Sequence, residues 1–166
     1  MKATVIALLG SVMGVAMLLG TASAQLPDTI AAPGETTVTT LHAEGAQVYE
    51  CKADAAGKLA WQFREPVATL LLEGKTLGRH YAGPTWELAD ASVVIGKVVG
   101  RASAPSAKDI PWLKLEVSER RGSGTLSGVT TVQRINTRGG GAEGACDRAG
   151  EYLSVAYAAD YVFLRR

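Results

Sequence analysis

Leu113-Lys114-Leu115-Glu116-Val117-Ser118 alternates apolar and polar side chains without a break. A period of two puts Leu113, Leu115 and Val117 on one face of a strand and the polar residues on the other. That is the signature of an antiparallel sheet with one buried face. The neighbouring segments repeat the theme. Val129 to Thr137 is rich in Val, Thr and Ile, and Val155 to Leu164 forms a last strand just before the C-terminus. On the N-terminal side, Val93 to Val99 is β-branched on both faces, which predicts a well-buried strand with Gly96 as a bulge. His80 to Leu88 is interrupted by Gly83-Pro84, and Ala68 to Leu72 runs into Glu73-Gly74. Val48 to Ala53 and Lys58 to Arg64 flank Asp54-Ala55-Ala56-Gly57, a hairpin signal. In its second arm Leu59, Trp61 and Phe63 share a face.

Short strands at regular spacing, bounded by Gly, Pro and Asp, predict an all-β protein. No stretch combines a helical period with caps. The expected architecture is one antiparallel domain of about eight strands. Barrel and sandwich write the same alternation, so both remain open at this point. Ala102 to Asp109 is a small-residue linker around Pro105 with room for one helical turn. Arg120 to Gly124 is a flexible turn, and Arg138 to Gly144 is a Gly-rich loop that delivers Cys146.

The chain of 166 residues fits one domain with a substantial core. A formal net charge of +1 excludes a strongly basic nucleic-acid binder, and 47% hydrophobic residues exclude a mostly disordered chain. Residues 1–24 read as a cleaved signal peptide. Lys2 supplies the positive start, Val5 to Leu19 the apolar stretch, and Thr21-Ala22-Ser23-Ala24 the small-residue cleavage pattern. The apolar stretch is short for a membrane anchor. Removing Lys2 leaves equal numbers of acidic and basic side chains. The expectation is a secreted or periplasmic protein, without a membrane span after cleavage. Residues 25–40 read as an extended leader that adds at most one edge strand, and 41–166 as the domain.

That compartment governs the only two cysteines, Cys51 and Cys146. Oxidising conditions favour a disulfide between them. Their spacing matches no zinc pattern.

Four groups of residues make the chain resemble a family of secreted bacterial and fungal proteins, domain of unknown function 3455. They are Gly45-Ala46-Gln47-Val48-Tyr49-Glu50-Cys51, Gly78-Arg79-His80-Tyr81-Ala82-Gly83-Pro84-Thr85-Trp86-Glu87, Ile110-Pro111-Trp112-Leu113, and Val132 to Gly140 with Tyr157 to Phe163. The most specific run is His80 to Glu87. Asp90-Ala91-Ser92 and Lys114 depart from the family pattern at turn or surface positions. The resemblance implies secretion and a single domain over about residues 41 to 164. It implies no activity.

Nucleotide motifs fail on inspection. Glu73-Gly74-Lys75-Thr76 lacks the earlier glycine of a phosphate loop, where Thr69 stands. Gly122-Ser123-Gly124 with Ser127 misses the dinucleotide pattern. There is no nucleophile elbow, and the sole asparagine, Asn136, is no glycosylation acceptor. Two histidines, His42 and His80, limit metal chemistry. His80 with Glu87 and Asp90 has no recognised ligand spacing, so no metal and no cofactor are expected.

Polar residues inside apolar strands carry the remaining signal: His80, Glu87, Gln133, Arg134 and Asp160. A buried charge needs a partner, and Glu87 or Asp160 with Arg134 is the expected pair. Beside them Tyr81, Trp86, Trp112 and Tyr157 would form aromatic walls with a few polar anchors, the usual make-up of a ligand pocket. The opposing view is that the tryptophans fill the core and Arg134 locks a carboxylate across strands. The favoured function is a non-catalytic binding module for a small molecule, sugar or peptide. The alternatives are a structural or envelope interaction protein, and a hydrolase or lyase with Glu87 or Asp160 as base supported by His80 and Arg134.

Overall fold

The computed structural model describes residues 26–166. The signal-peptide reading of residues 1–24 and the start of the leader lie outside the described residues. The described residues form no α-helix. Eight strands follow one another: β1 (Thr36–Ala53), β2 (Leu59–Leu72), β3 (Lys75–Tyr81), β4 (Thr85–Leu88), β5 (Val93–Ala102), β6 (Trp112–Arg121), β7 (Thr131–Gly139) and β8 (Tyr152–Arg165). Each pairs antiparallel with the next, and β8 returns to pair with β1. The result is a closed up-and-down barrel. Closure removes both sheet edges, which an exposed pair of end strands would leave unpaired.

The loops sort to the two ends. The β2–β3 turn, the β4–β5 loop, the β6–β7 loop and the C-terminus lie at one end. The β1–β2, β3–β4, β5–β6 and β7–β8 connections lie at the other. Glu73 and Gly74 close the β2–β3 hairpin with φ of 50° and 76°, the left-handed pair required by a tight two-residue turn.

The period-two pattern fills the interior. Leu41 and Ala43 of β1, Ala68 and Leu70 of β2, Val94, Leu115, Val132, Ala159 and Phe163 all point inward and are buried. Small residues (Ala43, Ala68, Ala159) face large ones (Trp86, Tyr161, Phe163), as the taper of an eight-stranded barrel requires. Leu126 and Val129, from the β6–β7 loop, are fully buried with this apolar cluster and plug the first end. Gly96 makes room for the largest ring. A Cβ there would stand 3.1 Å from the Trp86 indole.

Several expectations about strand limits change. The residues assigned to the end of the leader, from Thr36 on, are the first turn-free stretch of β1 and pair with Phe163 to Arg165. Lys58 to Arg64 and Ala68 to Leu72 are one strand, β2, running through Pro66. Val93 to Val99 is not buried on both faces, since Val98 and Val99 are 41% and 49% exposed at the barrel lip. Gly96 does mark a register shift. The linker holds turns and no helix.

Residues 27–35 fold back along the outer wall. Ile30 is completely buried there. Gln133 Nε2 donates to the Ile30 carbonyl at 2.6 Å, and Lys114 Nζ to the Ala31 carbonyl at 2.9 Å. Glu35 accepts from the Thr131 hydroxyl at 3.0 Å.

The Cys51–Cys146 disulfide is present, with a sequence separation of 95. It ties the end of β1 to the β7–β8 loop. Backbone bonds reinforce the tie, from Cys146 N to Leu59 O and from Trp61 N to Gly144 O.

Candidate functional site

At the end opposite the plug the barrel is hollow. A cavity of about 530 Å³ opens between β2, the β3–β4 turn and the end of β5. Trp86, Leu115 and Tyr161 line its deep part. Gln47, His80, Leu113 and Arg134 form its walls, and Phe63, Pro84, Val98 and Arg101 its lip. Volume and composition match the usual small-molecule pocket. The β7–β8 loop shuts the remaining side, where the Tyr49 hydroxyl donates to the Gly140 carbonyl at 2.6 Å.

His80 lies flat on Trp86, with ring centroids 4.6 Å apart and planes 10° from parallel. Its Nδ1 is 2.8 Å from the Thr85 carbonyl. A carbonyl only accepts, so Nδ1 carries the proton and Nε2 keeps its lone pair. Burial lowers the His80 pKa to about 3, and the Arg134 charge pushes the same way, against the Thr85 bond. The ring is therefore neutral at physiological pH.

Arg134 comes from β7, opposite Leu113 and Tyr161. Its Nε and Nη2 donate to the Pro111 carbonyl at 3.2 and 2.8 Å. Among the described residues no carboxylate lies within ion-pair distance of it. Below it the Tyr157 and Tyr161 hydroxyls are 3.3 Å apart, and burial raises both pKa values. Two buried donors on this wall lack any acceptor: Gln47 Nε2 and Trp86 Nε1.

Of the sequence-predicted site residues, the barrel brings four inside: His80, Trp86, Arg134 and Tyr157. It does not bring the others there. Strand alternation puts Tyr81, Glu87, Trp112, Gln133 and Asp160 on the outer wall. Glu87 pairs with Arg79 at 3.0 Å and accepts from the Tyr81 hydroxyl at 2.8 Å. That hydroxyl and then Arg79 lower its pKa. Asp160 accepts from His42 and Asn136, both at 2.8 Å. Trp112 and Asp160 border a separate outer groove of about 490 Å³. Gln133 lies under the leader. The expected pairing of Glu87 or Asp160 with Arg134 is thus corrected, because residues of opposite parity cannot reach through the wall. The hydrolase arrangement fails for the same reason, since its bases and its supports occupy opposite faces.

Gln47, Tyr49, Phe63, Arg101 and Tyr161 join the site without having been singled out. One signal for Gln47 was available. It shares a parity with Leu41, Ala43 and Gly45, so it is a polar residue on an otherwise apolar face.

A model of one protein family, described as Protein of unknown function (DUF3455), matches residues 31–165. The chain belongs to that family. The match spans the whole barrel, so the cavity and the disulfide of this DUF3455 protein both lie within the family domain. No curated protein and no solved structure matches the chain at significant similarity.

Proposed function

We propose that this DUF3455 protein is a binding barrel that holds one small organic molecule in its open end, in the periplasm or outside the cell. One observation carries the reading. The same barrel is solid at one end and hollow at the other, and the hollow is walled by aromatic rings and buried polar groups without partners. A protein that needed only stability would fill that volume, since unfilled space weakens a core. His80 favours binding over acid–base chemistry. A useful general base has a pKa near the working pH, and burial holds this one far below it. The disulfide fits an oxidising compartment.

The test is thermal. The melting temperature of the disulfide-bonded protein is measured against small amphipathic molecules, sugars, peptides and divalent metals. A ligand at 100 times its Kd adds about 2.7 kcal/mol to stability, a shift of several degrees. At least one organic amphiphile is expected to give such a shift. Val98→Trp, which narrows the mouth from an exposed position, is expected to abolish it without lowering the unliganded melting temperature. Shifts from metals or peptides alone, or shifts that survive Val98→Trp, would overturn the reading.

A further inference from the structure

We propose that the ligand is an organic monoanion with a flat apolar body, its acidic head against Arg134 and its body between Trp86 and the Phe63–Val98 lip. This rests on the binding-barrel reading and specifies its ligand class.

Charge is the first argument. The cavity lining includes three arginines and no aspartate or glutamate. They are not equivalent. Arg64 is already neutralised, with Glu65 at 2.9 Å and Glu50 at 3.6 Å, and its guanidinium lies over the Tyr152 ring. Arg101 is exposed at the lip. Arg134 alone is on the inner wall, half-buried and without a counter-ion among the described residues. A half-buried charge whose partners are a neutral carbonyl and the neutral Tyr161 hydroxyl is under-compensated. The Pro111 carbonyl occupies Nε and one Nη2 position, which leaves the Nη1 side of the fork free. A planar oxyanion accepts two parallel bonds from such a fork.

Donor surplus is the second argument, and it is independent of charge. Gln47 and Trp86 line the same cavity, both are more than nine-tenths buried, and each keeps an N–H without an acceptor. Leaving a buried donor unpaired is unfavourable. A ligand rich in acceptors relieves it. A sugar brings an O–H donor with every hydroxyl, whereas an ionised acidic head brings acceptors only and suits this surplus better.

Shape is the third. The apolar part of the lining is Leu113, Leu115 and the Trp86 ring, and the lip carries Phe63, 54% exposed, and Val98. Apolar residues left open at a mouth suit a ligand whose body reaches outward from its head.

Two probes separate these arguments. 1-Anilinonaphthalene-8-sulfonate carries an anionic head, and N-phenyl-1-naphthylamine is the same ring system without it. Fluorescence titration of the full disulfide-bonded protein is expected to give saturable one-to-one binding of both. The sulfonate is expected to bind at least about tenfold more tightly, the range of a charge-assisted bond. Arg134→Gln is expected to bring the ratio close to one with the neutral probe unchanged. Arg101→Gln, at the lip, is expected to keep most of it. Equal affinities in the wild type overturn the anion assignment and leave the binding barrel standing. Binding of neither probe overturns both. Displacement of the sulfonate probe by inorganic sulfate at matching concentration would show a bare anion site and overturn the organic ligand. If Arg134→Gln does not reach the wild-type circular-dichroism spectrum, Arg134→Lys replaces it. That variant keeps the charge and loses the fork. It is expected to weaken the sulfonate probe several-fold, and unchanged affinity overturns the proposal.

Discussion

The two ends of the barrel are built from the same eight strands and solve opposite problems. At the plugged end Leu41, Leu70, Leu126, Val129 and Phe163 fill the lumen, and the loops are tied down from outside. Asp90 is the tie. Its carboxylate accepts from Ser92 N and Oγ and from Thr125 N and Oγ1, at 2.6 to 3.0 Å. These bonds, the Ser92 hydroxyl first, hold its pKa far below the usual carboxylate range. They join the β4–β5 loop to the β6–β7 loop that carries Leu126. At the open end the lumen is lined by Arg134, Gln47 and His80, and the ties are covalent, through Cys51–Cys146. Apolar packing is concentrated at one end, and the other, closed by a disulfide, leaves Gln47 Nε2 and Trp86 Nε1 without partners.

The largest expected effect lies at the plug. Leu126→Ala removes a fully buried side chain and is expected to cost about 2–5 kcal/mol in denaturant unfolding. Phe63→Ala at the open lip is expected to change stability by less than about 0.5 kcal/mol. Similar values at the two sites would break the comparison.

Next comes acid. The unfolded state protonates its histidines near pH 6.5, whereas folded His80 stays neutral down to about pH 3. Between those values the unfolded chain binds more protons, so stability falls as pH drops through that window. His80 is expected to account for a loss on the order of 3 kcal/mol between pH 6.5 and pH 4. His80→Phe, which keeps the stack on Trp86, is expected to flatten the stability profile by close to one proton. An unchanged slope would show that His80 is protonated in the fold.

A smaller loss than at the plug is expected at the outer tie. Asp90→Ala is expected to cost about 1–2 kcal/mol, because exposed charge-assisted bonds are lost while water replaces part of them. It is expected to leave probe binding at the open end unchanged.

Much of the fold was legible as strand alternation. Leu113 to Ser118 and Val155 to Leu164 showed their faces directly. The site was less so. His80, Trp86 and Arg134 stood out as polar or aromatic residues inside apolar strands, but so did Glu87, Gln133 and Asp160. Only parity relative to the barrel axis separates the two groups, and bulges reset parity. The shifts at Val48/Tyr49 in β1 and Ile135/Arg138 in β7 do so beside the cavity. Asn136, with φ of 52°, lies within the second.

The all-β class, about eight antiparallel strands and the pairing of Cys51 with Cys146 could all be read from the residues alone. Alternation, turn residues and a lone cysteine pair are local or combinatorial signals, readable without knowing what touches what. It took the folded barrel to show that the sheet closes, that β8 meets β1, and that Arg134 faces a hollow and not a carboxylate. Closure depends on pairing strands more than 100 residues apart, and which face is inside follows from closure. A side chain's neighbours across the lumen are therefore set by the shape of the whole sheet.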